Sequence, residues 1–382
     1  MAEKLEKIVE KFHKIYGDDA PDCFIGRLYE EGARYLENDD AILFEELLGK
    51  VRASLRKMGY YSYPSMTYGS TLISYLLGVS DENPLPLHYY CTKCKRVELI
   101  NKNLTPWDIE SKECECGGKM VADGFNIPYE THSRMIDAPM TALFVGIEAL
   151  ELTYATIKEV FKDFNVVMEE DEHSKNTVFS ILPRGIYASG DKLYESFPSI
   201  TIIAKSYLDD LKAYESKHGI KYEDIDFSEI EATTDVLDYG ALVDDKITDI
   251  KPQNKYELLK ICGLLHGTNI WVDNGDRLIA NGDLTLSEIP AYREDIYDII
   301  KPKIEELGYD KKYADIITRL VRMGKFALYN IPKDIEEIMD RLTLPWWFDM
   351  LISSIKYMFA KAHGIKICKI SLALSYYKSL KK

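Results

Sequence analysis

Four of the seven cysteines are spaced like the ligands of a zinc ion. Cys91 and Cys94 form a Cys-x-x-Cys pair, and Cys114 and Cys116 form a Cys-x-Cys pair that is followed by two glycines. Four thiolates can close a tetrahedral site, and glycines permit the tight turns that direct backbone N–H groups towards sulfur. Because four protein ligands leave no open position for water, the pattern predicts structural rather than catalytic zinc.

The second cysteine pair leaves the fourth ligand open, since Cys-x-x-Cys is the commoner spacing in zinc ribbons. His88 or His132 is the alternative to one of the thiolates. A metal-free knuckle is a second explanation of the pattern, and disulfides are a weaker one in a cytosolic chain. The three other cysteines are isolated and are interpreted as small buried residues: Cys23, Cys262 and Cys368.

The charge of the chain differs between its first two-thirds and its last third. The 382 residues carry 48 Lys and Arg and 63 Asp and Glu, a net charge of −15. Residues 256–382 hold 19 basic and 17 acidic residues, which leaves 29 and 46 for residues 1–255. Phosphate binding needs Lys and Arg, so the acidic first part disfavours tight DNA binding and favours a basic protein partner.

The C-terminal residues 342–382 are basic, with seven lysines and the single acid Asp349. This region can contact nucleic acid through four lysines at helical spacing: Lys356, Lys361, Lys366 and Lys369. The alternative is a solvated helix face without a ligand. The chain has no run of about 18 apolar residues, and its charged N-terminus lacks the apolar core of a signal peptide. We therefore expect no membrane partner and a cytoplasmic location.

Most of the chain has the periodicity of helices, with apolar residues three and four positions apart. This pattern covers residues 1–60. It continues over 139–168 through Leu143, Ile147 and Leu150. Four further helices are predicted in the last third: 293–307, 311–323, 333–342 and 347–380.

Two short apolar runs, separated by Pro and Gly, predict strands at 178–182 and 200–204. The acidic residues 209–255 are weakly patterned and are interpreted as a linker with short elements. The fold class indicated by these elements is α+β and mostly helical.

Several motifs occur in the order found in one polymerase family. They surround the cysteines and recur in the last third: Asn83-Pro-Leu-Pro-Leu-His-Tyr-Tyr-Cys91, Asp123-Gly124-Phe-Asn-Ile-Pro-Tyr-Glu130-Thr131, Gly263-Leu-Leu-His266-Gly267-Thr268-Asn-Ile-Trp271, Arg322-Met-Gly324-Lys325, Leu344-Pro345-Trp346-Trp347 and Ile355-Lys356-Tyr357-Met358-Phe359-Ala-Lys361-Ala362-His363. In these motifs the chain resembles the PolC-type DNA polymerase III alpha subunit, the C-family replicative polymerase of low-GC Gram-positive bacteria. The resemblance is strong over 83–131 and 256–378 and weak elsewhere.

The resemblance implies four segments: a helical segment that leads into the palm (1–82), a zinc-ribbon-like module (83–131), a degenerate palm-like region (132–255) and a helical fingers-like domain (256–382). The implied fold is a degenerate C-family palm with a zinc-ribbon insert, followed by an all-helical fingers domain. The family's phosphoesterase-like, exonuclease and oligonucleotide-binding domains are not recognised in the sequence. The resemblance is therefore to a truncated relative.

Two parts of the family's catalytic machinery are altered. Its palm carries an Asp-x-Asp pair for two magnesium ions, which bind the attacking 3′ oxygen and the leaving phosphate. The resemblance places Met140 and Ala142 at these two positions. The family's Gly/Ser/Arg loop for the triphosphate falls at 63–70, where only Gly69-Ser70 matches. Two acids are the weak remaining candidates for a metal-binding carboxylate: Asp137 and Asp235.

The fingers-like motifs supply the candidate nucleotide and DNA contacts. The resemblance implies that Lys361 and His363 lie in the segment that contacts the incoming nucleotide; the alternative is hydrogen bonding between helices. Trp346 and Trp347 either stack on bases or pack in the core, and we expect core packing. Five further residues are candidate contacts to nucleotide or DNA: Arg322, Lys325, Lys356, His266 and Thr268.

The resemblance and the lost carboxylates predict a catalytically inactive PolC-like homologue that works by binding in DNA replication or its regulation. The implied partner is a replisome protein, a PolC-type polymerase or DNA, and the implied cofactor is structural zinc. The alternative is a minimal DNA-directed DNA polymerase that uses magnesium and a rearranged acid set such as Asp137, Asp235 and Asp238. A third hypothesis is an unrelated metal-binding scaffold that shares only the zinc module.

Overall fold

The computed structural model describes residues 2–36, 39–65, 68, 70–129, 131, 140–172, 174–186, 193–239 and 250–380. The fold is α+β, as the sequence predicts. The helices within these residues are α1 Ala2–Tyr16, α2 Asp22–Leu36, α3 Asp39–Lys57, α4 Leu72–Leu76, α5 Leu150–Val160, α6 Ser206–His218, α7 Lys255–His266, α8 Asp276–Ala280, α9 Arg293–Glu306, α10 Lys312–Arg322, α11 Lys333–Met339, α12 Trp346–Ser354 and α13 Lys361–Ser379. The strands are β1 Ser62–Pro64, β2 His88–Cys91, β3 Val97–Leu99, β4 Lys112–Glu113, β5 Lys119–Asp123, β6 Met140–Val145, β7 Asn165–Glu170, β8 Thr177–Leu182 and β9 Ser199–Ala204.

The chain forms two compact units. The first unit comprises Met1–Asn101, Ile109–Asp226 and Tyr376–Lys382, and the second comprises Lys102–Asp108 and Phe227–Ser375. Both sheets lie in the first unit, and the second unit is helical in its described residues. The division into four functional segments stays a prediction.

A five-stranded sheet in the order β1-β6-β9-β8-β7 is the centre of the first unit. β6 and β9 are parallel, and the other neighbouring strands are antiparallel. Successive side chains of a strand point to opposite faces. Leu143 and Val145 of β6 therefore join the core that α3 and α5 complete. Met140, Ala142 and Phe144 lie on the other face of the sheet.

Two smaller assemblies flank this sheet within the first unit. The helices α1, α2 and α4 share a second core of apolar side chains: Ile8, Phe12, Phe24, Leu72 and Ile73. A four-stranded antiparallel sheet in the order β3-β2-β5-β4 forms the ribbon that carries the four clustered cysteines.

The second unit contains α7 to α12 and most of α13. Its core residues come from several helices: Leu258, Ile261, Ile296, Ile300, Ile317, Phe348 and Ile365. α7 begins where the Asn254 side chain accepts the N–H of Glu257 at 2.9 Å and the Asp108 carboxylate accepts the N–H of Lys255 at 2.6 Å. No helix within the described residues is long and apolar enough to cross a membrane.

The strands predicted at 178–182 and 200–204 are confirmed as β8 and β9, and the three helices predicted between 293 and 342 are confirmed as α9, α10 and α11. The helix predicted over 139–168 is wrong at both ends, where the chain forms β6 and β7 and leaves only α5 helical. β6 is paired with β1 and β9, and these neighbours satisfy its backbone N–H and C=O groups. The acidic stretch 209–255 begins inside α6 rather than in a linker.

The single helix predicted over 347–380 is interrupted between α12 and α13. In the intervening segment Lys356 N donates to Thr268 O at 3.0 Å, and Met358 N donates to Arg322 O at 3.2 Å. Backbone groups that bond to distant segments cannot complete the hydrogen bonds of a continuous helix.

Burial corrects three further interpretations. Trp346 is 69% exposed, so its assignment to the core is wrong, and the neighbouring Phe348 is buried instead. Cys23 is exposed, whereas the two other isolated cysteines are buried as expected. The four C-terminal lysines at helical spacing do not form a solvated helix face, because Lys366 is only 3% exposed and Lys356 lies before α13 begins.

Candidate functional site

The ribbon brings the four cysteines of the predicted zinc site together. All four sulfur atoms lie within 4.8 Å of one another. Cys91 Sγ lies 3.5 Å from Cys116 Sγ, and Cys94 Sγ lies 3.7 Å from Cys114 Sγ. A tetrahedral site with Zn–S bonds of about 2.3 Å has sulfurs about 3.8 Å apart. The cluster therefore has the size and ligand type of a site for a metal such as zinc.

The turn after β2 directs backbone donors at one of these sulfurs. The N–H groups of Cys94 and Lys93 each lie 3.4 Å from Cys91 Sγ. These donors, the Cys94 amide first, lower the pKa of the Cys91 thiol to about 6. A Cβ added to Gly118 would lie 2.9 Å from Cys91 Sγ, so the close approach of the second knuckle requires glycine.

His88 is not a ligand of this cluster, so the alternative that it replaces a thiolate is wrong. Its Nδ1 lies 2.6 Å from the carbonyl oxygen of Pro86, and its ring packs edge-on against Tyr16 and Phe24. Burial lowers the pKa of His88, which keeps the imidazole neutral. The second alternative, His132, lies outside the described residues.

Met140 and Ala142, which the resemblance predicts at the positions of the family's aspartate pair, lie in the first half of β6. Met140 is 45% exposed and Ala142 is half-buried. Ser65, which follows β1, donates its N–H to Ala142 O at 2.6 Å, and its Oγ accepts the N–H of Ala142 at 3.0 Å. Residues aligned with the triphosphate loop and with the aspartate pair are thus neighbours in space, and neither of the two aligned β6 residues carries a carboxylate.

An aromatic stack occupies the same face of the sheet. The ring of Tyr63 lies parallel to that of Phe144, with centroids 4.7 Å apart and an interplanar angle of 9°. The hydroxyls of Tyr63 and Tyr207 are hydrogen-bonded. Burial raises the pKa of both phenols, that of Tyr207 to about 12, so both are neutral at physiological pH. Neutral phenols do not replace the carboxylates that magnesium prefers.

Two of the other acidic candidates lie in the second unit. Asp235 lies in a short 3-10 helix, Thr234–Tyr239, in the second unit, and its side chain is exposed. Asp238 belongs to the same helix. Asp137 lies outside the described residues, as do Met66, Thr67 and Gly69 of the aligned loop.

Two histidines join α7 to α13 in the second unit. His266 is the last residue of α7 and His363 lies in the first turn of α13, and their Nε2 atoms are 3.1 Å apart. The ring centroid of Phe359 lies 4.1 Å from that of His266 and 5.2 Å from that of His363. At this distance one imidazole donates and the other accepts. The geometry supports the alternative of a contact between helices for His363.

Lys361 lies near a buried group of charges that the sequence analysis missed. Lys260 Nζ lies 2.9 Å from Asp295 Oδ2 and donates to the carbonyl of Ile289 at 3.1 Å. Lys361 is half-buried near this pair, and its desolvation lowers the pKa of its amine. A signal was present in the sequence, because Lys260 interrupts an apolar run and a lysine there needs a buried partner.

Arg322 has a side-chain N–H group without a hydrogen-bond partner among the described residues. The side chain is half-buried, and this group is its buried Nε. Burial and, next, Arg293 lower the pKa of Arg322. An incompletely bonded guanidinium near a second arginine is suited to an anionic ligand. Lys325 is half-buried and Lys356 is exposed.

Thr268 borders a pocket of about 400 Å³ in the second unit. Its backbone forms a bridge with Tyr357, which fixes the segment after α7. The volume lies within the range of about 300–1,000 Å³ that is typical of small-molecule sites. The pocket is lined by polar and apolar residues: Leu264, Leu265, Gly267, Thr268, Asn269, Trp271, Val272 and Asp273.

Comparison with known proteins extends the resemblance to nearly the whole chain. No protein-family model matches it. The DNA polymerase III PolC-type of Caldanaerobacter subterraneus subsp. tengcongensis is 26% identical over 98% of this chain and 33% of its own length. The DNA polymerase III PolC-type of Bacillus cereus is 24% identical over 95% of this chain and 31% of its own length. That of Thermotoga maritima is 26% identical over 97% of this chain and 33% of its own length.

The chain spans about a third of the length of the curated relatives it matches. These alignments include the regions before residue 83 and between 131 and 256, where the motifs alone gave a weak resemblance. The alignments and the motifs around the cysteines and in the last third identify the chain as a relative of PolC-type DNA polymerase III.

Proposed function

We propose that the chain acts in DNA replication by binding and that it does not catalyse nucleotidyl transfer. The proposal rests on Met140 and Ala142 of β6, which the resemblance places at the positions of the family's aspartate pair. Two-metal nucleotidyl transfer needs carboxylates that hold both magnesium ions between the attacking and leaving oxygens. A thioether and a methyl group provide no such ligand.

The surroundings of these positions support the same proposal. Ser65 bonds to both backbone groups of Ala142, at the place where the family's loop supplies arginine and glycine. The stacked rings of Tyr63 and Phe144 add apolar surface to that face of the sheet. A site for magnesium and triphosphate would instead have carboxylates for the metal and N–H groups or cations that bind phosphate on that face.

We further propose that the four-cysteine cluster holds one structural zinc. The donor set is all thiol, the sulfur separations match a tetrahedral site, and the four ligands leave no position for a reacting water. Zinc would then hold the ribbon of β2 to β5 together and take no part in a reaction.

A protein partner, either a replisome protein or a PolC-type polymerase, is favoured over DNA. Residues 1–255 carry 46 acidic and 29 basic side chains, which attracts a basic protein surface. Lys366 is buried and Lys369 is half-buried, so α13 offers no continuous row of lysines to phosphates. Arg322 and Lys356 remain candidate contacts for a phosphate group.

Primer extension with magnesium or manganese tests the absence of catalysis. We expect no nucleotide incorporation above that of a mock preparation. If the wild-type chain incorporates nucleotides and Asp235→Asn abolishes this activity, the proposal is overturned and the active-polymerase alternative is established. An Asp283→Asn variant serves as the matched control, because Asp283 is an exposed acid of the same unit that the family alignment does not implicate.

Affinity capture from a bacterial lysate, with and without nuclease, tests the partner. We expect the same replication protein to be captured in both samples. Loss of all capture after nuclease treatment would contradict a direct protein contact and support tethering through DNA. Arg322→Ala then distinguishes the two, since a DNA tether should weaken while a partner on the acidic unit should remain bound.

A further inference from the structure

A buried glutamate links three helices of the first unit. Glu45 of α3 is 1% exposed. Its Oε1 accepts a hydrogen bond from the hydroxyl of Tyr35 on α2, and its Oε2 accepts one from Ser74 Oγ on α4 at 2.7 Å. Thr71 Oγ1, at the N-cap of α4, donates to Ser74 Oγ at 2.7 Å. The carboxyl group is thus the centre of a chain of polar contacts inside an apolar core.

No cation is paired with Glu45 among the described residues. On the α2 side it faces Tyr35 and also Glu31, a second buried carboxylate that is paired with Arg27. The turn before α4 contributes the phenol of Tyr68, and α4 itself contributes only the Ser74 hydroxyl. Glu31 and an ionised Glu45 both carry a negative charge, so Glu31 disfavours the ionisation of Glu45.

This environment favours the neutral carboxyl group. Burial raises the pKa of Glu45 to about 8, although the hydrogen bonds from Tyr35 and Ser74 oppose the shift; Glu31 adds to it. An unfolded chain has a glutamate pKa of about 4.3. Tyr35 and Ser74 can keep their contacts to the neutral group, because a hydroxyl accepts as well as donates.

We propose that Glu45 is a proton-dependent latch: its neutral carboxyl holds α4 against α2 and α3, and loss of the proton loosens α4. The proposal concerns the first unit's helices and is independent of the proposed function. α4 has only five residues, so it depends on such contacts rather than on its own helical propensity. Its first N–H groups, of Leu72 and Ile73, are held by Glu31 at 3.0 and 2.9 Å, and its Ser74 hydroxyl is held by the buried Glu45 at 2.7 Å.

The sign of the effect follows from linkage. The folded state binds a proton that the unfolded state has released, so the stabilisation is complete below pH about 4.3 and is lost as the pH rises towards about 8. Over that range the folding equilibrium constant falls by up to about tenfold per pH unit.

Chemical unfolding of the full chain at pH 5 to 9, in the wild type and in Glu45→Gln, tests the latch. The glutamine amide of this variant is neutral at every pH. We therefore expect the variant to lack the wild type's fall in the folding constant, which is up to about tenfold per pH unit. Glu46→Gln is the matched control, because Glu46 lies on the same helix but is exposed and paired with Lys50 at 2.8 Å. An identical pH slope in the wild type and in Glu45→Gln would overturn the proposal.

A second variant keeps the test decisive if Glu45→Gln does not fold. Tyr35→Phe removes a donor that favours the ionised carboxylate, so it should move the pH at which α4 loosens upwards. Hydrogen exchange of the Leu72–Leu76 amides, expressed relative to that of α5 at each pH, reports this midpoint. An unchanged midpoint, or protection of α4 that does not vary with pH in the wild type, would also overturn the latch.

Discussion

Loss of one cysteine ligand should unfold the cysteine-bearing end of the ribbon and leave the rest of the first unit folded. The buried cluster at that end consists of Cys91, Cys114 and Met120, two of which are proposed ligands. Complete burial of Met120 contributes about 1.5–3 kcal/mol. Zinc binding by small zinc modules contributes about 10–16 kcal/mol. The metal therefore outweighs the apolar contribution of this cluster several-fold, and the cysteine-bearing end should not persist without it. The other end of β2 is held by His88, whose ring packs against the helical core.

The two other cores of the first unit do not depend on the metal. One lies between α3, α5 and the five-stranded sheet, and the other joins α1, α2 and α4. The expected result of zinc removal is thus local: hydrogen exchange accelerates by several orders of magnitude at the cysteine-bearing end of the ribbon, residues 91–96 and 112–120, whereas α3 and α5 keep their protection.

Cys94→Ser is the sharpest form of this experiment, since Cys94 is the exposed member of the cluster and its replacement creates no cavity. Cys23→Ser is the control, because Cys23 is exposed and lies outside the cluster. Elemental analysis should give about one zinc per chain for the wild type and for the control, and none for Cys94→Ser. Freshly purified wild-type protein without zinc, or Cys94→Ser with an intact ribbon, would refute the reasoning.

Two further predictions follow from close contacts and buried charges. Gly118→Ala should lower zinc affinity in a chelator competition, because its Cβ would lie 2.9 Å from Cys91 Sγ; an unchanged affinity would contradict the close approach. Lys260→Met should destabilise the chain in urea by about 1–3 kcal/mol, since Asp295 loses its paired cation but keeps the N–H groups of Ala291 and Tyr292. Lys303→Met is the exposed-lysine control and should change stability by less than about 1 kcal/mol.

Features that depend on spacing within one segment were predictable from the sequence. The two cysteine pairs and the two glycines after the second pair define the ribbon knuckles before any tertiary contact is known, and the four sulfurs do come together. The strands β8 and β9 are similarly marked by short, mostly apolar runs with Pro and Gly between them. In each case the local residue types and the final environment agree.

Features that depend on a distant segment were not predictable in this way. The spacing of Leu143 and Ile147 fits a helix, but Leu143 lies in β6, whose backbone pairs with β1 and β9. No proline or glycine separates α12 from α13; the break exists because Thr268 and Arg322 accept the N–H groups of Lys356 and Met358. The burial of Glu45 was not predictable either, because a glutamate in a helix is usually exposed. Its contacts with Tyr35 and Ser74 appear only in the folded structure.

The distribution of burial also changes what the segment charges mean. The net balance of residues 256–382 is slightly basic in the sequence, yet Lys260 is paired with Asp295, and Lys366 is buried. A DNA contact through the candidate residues of the second unit would then rest mainly on Arg322 and Lys356. Each phosphate contact contributes a slope of about −0.9 to the dependence of log K on log salt. DNA binding through these two residues should therefore have a shallow salt dependence of about −2. A steep slope of about −6 or beyond would show that other cations form the interface and that a protein partner is no longer the better explanation.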